Sequence, residues 1–217
     1  MLKMIFFPVF LIAALLHLVA CWKGNTRYAG WTKAFLMPLL AVCVFPVVDS
    51  ASFFLLVGLL FGAAGDILLL KSELRWCFLL GAGAFCVGHL FYIALFAESF
   101  SISSVPFWWM VAIVFLYLLV IIGIYRSLRP FLPPGLWPVP ICYMLAISCM
   151  SAFSVFRFIY WPAFWPGLAM VGTFFFMASD TRLAFAIFKG ATKRSSFFVM
   201  STYIAAQTCI ASSYIWQ

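Results

Sequence analysis

At 67% hydrophobic and 8% charged, with mean hydropathy +1.18, this 217-residue chain lies outside the range of water-soluble domains, which are about 45–50% apolar and about 25% charged. The net charge of +8 comes from 13 basic residues scattered among polar connections rather than gathered on one surface. That pattern excludes nucleic acid as the expected partner and gives the charge an orienting role instead. The seven cysteines (Cys21, Cys43, Cys77, Cys86, Cys142, Cys149 and Cys209) include no C-x-x-C pair and sit in or beside apolar runs. They read as packing residues rather than as disulfides or metal ligands.

A membrane-spanning helix takes roughly 20 apolar residues, so the length allows seven to nine spans in one transmembrane domain over 1–217 and leaves no soluble domain. The expected fold is an all-α polytopic membrane protein of eight spans. The first span is near 4–22 and is closed by Lys23-Gly24-Asn25-Thr26-Arg27. Its lone His17 reads as structural. Leu18-Val19-Ala20-Cys21 resembles a lipoprotein cleavage box, but cleavage would export the basic connection that follows, so an uncleaved span is favoured. The second span, near 31–48, opens with Gly30-Trp31-Thr32-Lys33 and ends at Val48-Asp49-Ser50. Lys33 has three readings: an interfacial snorkelling lysine, a lipid-phosphate ligand, or the partner of an acid.

The third span, near 51–70, contains Gly58-Leu-Leu-Phe-Gly62-Ala-Ala-Gly65-Asp66. Gly58, Gly62 and Asp66 are four apart, so a glycine-lined face points the carboxylate into a close helix contact. After Lys71-Ser-Glu73-Leu-Arg75, the fourth span, near 76–97, presents His89 and Tyr92 on one face. The fifth lies near 105–125 and the sixth near 132–152, where Pro138 and Pro140 are expected to kink a cavity wall beside Tyr143. A connection from Arg157 to Pro162 leads to the seventh, near 162–188, which is long enough to tilt and carries Ser179-Asp180. The eighth, near 196–216, sets Tyr203 and Gln207 on one face.

With eight spans, Lys23, Arg27, Lys33, Lys71, Arg75, Arg126, Arg129, Arg182, Lys189, Lys193 and Arg194 fall on one side, and only Lys3 and Arg157 on the other. The positive-inside rule then puts the odd-to-even connections in the cytoplasm and both termini outside. The expected location is the inner membrane of a bacterium.

There are five acidic residues, and Asp49, Glu73 and Glu98 fall in predicted connections. Asp66 and Asp180 remain. An aspartate at the centre of a membrane helix costs about 2.5–3.5 kcal/mol on insertion scales, which makes it a functional residue by default. Both helices run from outside to inside, so the two carboxyls are expected at similar depth near the cytoplasmic leaflet, facing one another. An offset of 114 positions aligns Asp66 with Asp180, Gly58 with Gly172 and His89 with Tyr203, hinting at two parallel four-helix repeats around an intramembrane polar pocket. His89, about thirteen residues into a helix entering from the cytoplasm, is expected ~20 Å in and further out than the acids. No nucleophile elbow, H-E-x-x-H or phosphate-binding glycine loop is present. No metal or cofactor is expected.

The segments Thr32-Lys33, Gly58 to Asp66, Gly81-Ala-Gly-Ala-Phe85 to Gly88-His89-Leu-Phe-Tyr92, Pro140-Ile-Cys-Tyr143-Met144, Ser179-Asp180 and Tyr203-Ile-Ala-Ala-Gln207 resemble, in order and spacing, the YhhN family of membrane lysoplasmalogenases. Ala34 stands where that family often has proline, and Thr202 where a second tyrosine is common. The resemblance implies hydrolysis of the vinyl ether bond of a lysophospholipid taken from the bilayer, releasing a fatty aldehyde and a glycerophospho-ethanolamine or glycerophospho-choline. Such chemistry needs a general acid for the alkene carbon remote from oxygen and a carboxylate to stabilise the resulting cation and activate water. Two carboxyls in different protonation states fill these roles, as in glycoside hydrolysis. Asp66 and Asp180 are the expected pair. His89, Tyr92, Tyr143, Ser179, Tyr203 and Gln207 are the expected binding or orienting residues, with Lys33 on the head-group phosphate. The rival reading is a proton-coupled or lipid transporter using the same acids. A heme protein is a poorer fit, since His17 and His89 make an unpromising axial pair.

Overall fold

The computed structural model describes residues 2–45, 50–192 and 194–216. Asp49 and Lys193 lie outside the described residues, as does the side chain of Lys3. The described residues form eight α-helices and no strand: α1 (Leu2–Trp22), α2 (Thr26–Val44), α3 (Ser50–Leu68), α4 (Arg75–Ala97), α5 (Phe107–Leu128), α6 (Pro138–Tyr160), α7 (Phe164–Lys189) and α8 (Ser195–Ile215). Six of them, α1 and α3 to α7, are long and apolar enough to cross a membrane. Helices α2 and α8 have the length, at 19 and 21 residues, but are diluted by Arg27, Thr32 and Lys33 in one and by Thr202, Gln207, Thr208 and several serines in the other. Among the polar residues that dilute them are Lys33 and Gln207, two of the expected site residues.

Local sequence sets the helix ends. The side chain of Asn25 accepts the Tyr28 N–H at 3.0 Å and caps α2, so Arg27 belongs to that helix rather than to the connection. Helix α6 starts at Pro138, not near 132 as expected. Pro133 and Pro134 lack the N–H a helix needs, and Gly135 adopts φ +81°. Pro138 then occupies the first helical position, where a missing N–H costs nothing. Pro140 falls in the same turn, so neither proline kinks the helix. At the other end α6 runs to Tyr160 and takes in Arg157, expected in the following connection. Arg157 is 1% exposed, with its guanidinium 4.5 Å from the centre of the Tyr214 ring. Stacking on an aromatic face lets this cation sit inside the bundle.

The tightest helix pairs are α3 with α4 and α7 with α8, and each is built on a glycine. A Cβ on Gly88 would come within 3.2 Å of the Gly58 carbonyl, and one on Gly172 within 2.9 Å of the Ala206 carbonyl. Small residues permit this approach, and dispersion and packing then hold the helices together in lipid. Helix α5 is the most exposed, burying only Ile113, Ile121 and Leu128. The connections after α1, α3, α5 and α7 gather at one end. There Trp22 meets Phe197 edge-on, Arg194 lies over Trp22, Lys189 lies over Phe131, and the Arg75 guanidinium reaches Gly135.

Candidate functional site

Asp180 and Asp66 are both buried, at 9% and 2% exposure, and each is engaged by side chains from other helices. The Tyr143 hydroxyl of α6 donates to Asp180 Oδ2. His89 of α4 places Nε2 3.3 Å from that hydroxyl and 3.8 Å from Asp180 Oδ2. With the tyrosine hydrogen directed to the carboxyl, the phenol oxygen is free to accept from an Nε2–H imidazole. Asp66 instead pairs with a cation: Lys33 Nζ of α2 lies 3.0 Å from its Oδ1. Of the three readings of Lys33, the structure thus places it against an acid. Tyr203 of α8 is the electrostatic neighbour of Asp66, but neither its hydroxyl nor Asp66 Oδ2 completes a hydrogen bond. The two carboxyls therefore share no hydrogen bond.

Aromatic rings separate the two acids. Phe176 stands edge-on to His89 at 5.0 Å and to Tyr203 at 5.5 Å, and Phe85 contacts both Phe176 and Tyr203. As expected, His89 lies about a helical turn further along than the acids, opposite Phe176 of α7 and beside the Gly58–Gly62 stretch of α3, yet its side chain still reaches Asp180. The edge contact of Phe78 with Phe188, together with that of His89 with Phe176, sets α4 antiparallel to α7. Helix α7 ends at Lys189, level with the first turn of α4, and His89 stands opposite Phe176, one turn before Asp180, from where its side chain reaches the carboxyl.

The glycine face of α3 makes room for these side chains. A Cβ on Gly58 would fall 2.5 Å from the Tyr92 ring and one on Gly65 2.6 Å from the Phe85 ring; one on Gly62 would lie 3.3 Å from the Tyr203 hydroxyl. Tyr92 donates to Gln207 Oε1 at 2.7 Å, tying α4 to α8 beside the Asp66 cluster. Ser179 turns away and donates to the Val199 carbonyl at 3.0 Å, so it joins α7 to α8 rather than facing either acid. His17 is a strut of the same kind: its Nδ1 meets Thr32 Oγ1 at 2.7 Å and its Nε2 meets the Cys21 thiol at 3.4 Å. It fastens α1 to α2 one residue before Lys33.

An apolar cavity of about 80 Å³ opens between α4, α5, α6 and α7. Its walls include Phe78, Phe85, Ile121, Ile124, Met144 and Ile147, and its few polar lining residues are Asp180, Tyr143, Ser148 and Thr181. Asp66 and Lys33 lie outside it. Phe85, Phe176 and Ser148 were not legible as site residues, because one phenylalanine among 27 and one helical serine carry no distinguishing signal. The described residues include no group of three His, Cys, Asp or Glu side chains placed to hold a metal.

An all-helical bundle with six helices long and apolar enough to cross a membrane defines a multi-pass membrane protein, and two buried, separately partnered aspartates lie inside that bundle. The sequence model of the YhhN family matches residues 28–214, and the chain belongs to that family. No curated protein and no solved structure gives a match.

Proposed function

We propose that this protein hydrolyses the vinyl ether bond of lysoplasmalogens, giving a fatty aldehyde and a glycerophospho-ethanolamine or glycerophospho-choline. The observation that carries the reading is the cavity: a space lined almost wholly by hydrocarbon side chains, with a carboxyl and its phenol donor on the wall. Such a wall accepts hydrocarbon, and a chain that enters it brings its polar end to Asp180.

The two acids differ in their partners. Asp180 is held by a phenol and an imidazole with no cation against it, and is the group assigned to carry a proton to the alkene carbon remote from oxygen. Asp66 is paired with an ammonium and is the carboxylate. It stabilises the oxocarbenium ion at longer range, and with Tyr203 it presents two buried polar atoms able to hold water. Water adds to the cation, and the hemiacetal collapses to aldehyde and alcohol. His89 and Tyr143 fix the Asp180 carboxyl, and the Tyr92–Gln207 bond steadies the Tyr203 side. With Lys33 committed to Asp66, the head-group phosphate is not assigned to it.

We also read all eight helices as spans, with both termini outside and the basic end in the cytoplasm. The two halves act as parallel repeats: each acid is met by the second helix of its own half and by a ring from the fourth helix of the other. His89 and Tyr203 are those rings. Mass spectrometry of products from lysoplasmalogen and from its acyl and alkyl lyso-analogues tests the activity. Aldehyde from the vinyl ether alone supports the hydrolase. Gradient-driven uptake without product supports a carrier.

A further inference from the structure

Among the described residues, the buried serine and threonine hydroxyls are consistently spoken for. Ser154 donates to the Ser151 carbonyl, Ser213 to that of Ile210, Thr173 to that of Met170 and Ser179 to that of Val199. Ser151 meets Tyr117 and Thr173, and Ser195 accepts the Thr192 N–H. Ser148 is the exception: at 4% exposure its Oγ has no hydrogen-bond partner. A helical serine has a ready acceptor in the carbonyl four residues back, so a hydroxyl that leaves it unused and also stays out of water is left unsatisfied at a cost to the fold. Ser148 is also the one of these serines and threonines that lines the apolar cavity with Asp180 and Tyr143. Neighbouring wall positions on the same helix, Met144 and Ile147, are apolar.

We propose that Ser148 is a ligand-binding residue, the polar anchor for a single-chain amphiphile whose hydrocarbon tail enters the cavity and whose first glycerol oxygens sit beside Asp180. Resting on the hydrolase reading for the identity of that amphiphile, Ser148 hydrogen-bonds an oxygen at the head of the chain: the ether oxygen, or the free hydroxyl that distinguishes a lysolipid from a two-chain lipid. Bonded to that hydroxyl, Ser148 favours single-chain over two-chain substrates, because an acylated oxygen brings a second tail that one cavity does not hold.

The test uses the purified full chain in detergent and a non-cleavable 1-O-alkyl lysophosphoethanolamine, with binding read by native mass spectrometry. Two further ligands carry the argument: the 2-deoxy analogue lacks the hydroxyl, and a carba-analogue replaces the ether oxygen by methylene. Ser148→Ala is expected to weaken binding of the parent ligand about three- to tenfold, the range of one neutral hydrogen bond. One of the two analogues should lose that difference between wild type and variant, which identifies the oxygen. Ligand-free Ser148→Ala should unfold at the same temperature as wild type or higher, because it removes an unpartnered buried hydroxyl, whereas a purely structural serine would show a loss. Ser148→Thr keeps the hydroxyl and should bind like wild type. Equal affinity of wild type and Ser148→Ala for the parent ligand overturns the proposal, as does absence of binding to wild type. Coupled binding without vinyl ether cleavage by wild type leaves Ser148 a ligand anchor and removes the hydrolase reading.

Discussion

Lys33 Nζ lies 3.0 Å from Asp66 Oδ1, and their side chains are 15% and 3% exposed. Removing one member of such a pair strands a charge and costs about 3–5 kcal/mol, while replacing both by apolar groups is often neutral. Lys33→Met and Asp66→Leu are each expected to lower the unfolding temperature in detergent, and the double variant to recover most of the loss. The double variant should still be unable to cleave vinyl ethers. Equal melting of single and double variants would show that the pair contributes nothing to the fold.

For the chemistry itself, Asp66→Asn and Asp180→Asn are each expected to lower turnover at least about a hundredfold, the lower range for positioned acid–base groups. Tyr143→Phe removes the donor to Asp180 but leaves the cavity wall in place. Its expected loss is about tenfold in kcat, the upper range for one neutral hydrogen bond, with KM little changed. Near-normal aldehyde release from either correctly inserted asparagine variant rejects the two-acid assignment.

The glycines of α3 and α4 divide by what faces them. Gly58→Ala and Gly65→Ala drive a methyl into the rings of Tyr92 and Phe85, at 2.5 and 2.6 Å, so both should destabilise the protein and slow it. A Cβ on Gly83 or on Gly123 of α5 meets nothing within 4 Å. Alanine at those positions should be neutral or stabilising by up to about 1 kcal/mol, since glycine is the poorer helix former. Thermal unfolding of the four variants checks the ordering.

Much of this arrangement was readable from the chain because lipid leaves few options. A long apolar run bounded by charges must be a helix, and a buried aspartate must be engaged. The position of α6 was not readable, since the apolar pattern continues through Leu132 and Leu136 and only the geometry of Pro133, Pro134 and Gly135 delays the helix. Arg157 looked like punctuation because a charge ordinarily ends a span; the Tyr214 ring that accommodates it is 57 positions away. Counting residues along α4 places His89 a turn beyond the acids, as its contact with Phe176 bears out, but does not show that its side chain reaches back to within 3.8 Å of Asp180. Which acid faces a cavity, and which is tied to Lys33, depends on side-chain directions across helices that no spacing within one helix encodes.

The cavity makes a prediction about chain length. Its α7 wall runs from Met177 to Phe188, eleven residues or ~17 Å of helix, and includes the Phe188 ring, which meets Phe78 edge-on at 5.5 Å. Phe188→Ala removes one of those rings and lengthens the space, while Ala184→Phe fills it midway. If the hydrocarbon chain lies along this path, the first variant should shift preference toward longer chains and the second toward shorter ones. The expected change is about tenfold in the ratio of kcat/KM between chain lengths, the scale on which an apolar pocket senses a methylene or two. Neither substitution touches Tyr143 or His89, so the best-fitting substrate of each variant should keep a kcat close to that of wild type. An unchanged chain-length profile in both variants would place the hydrocarbon chain elsewhere, and with it the reason for assigning the proton to Asp180 rather than to Asp66.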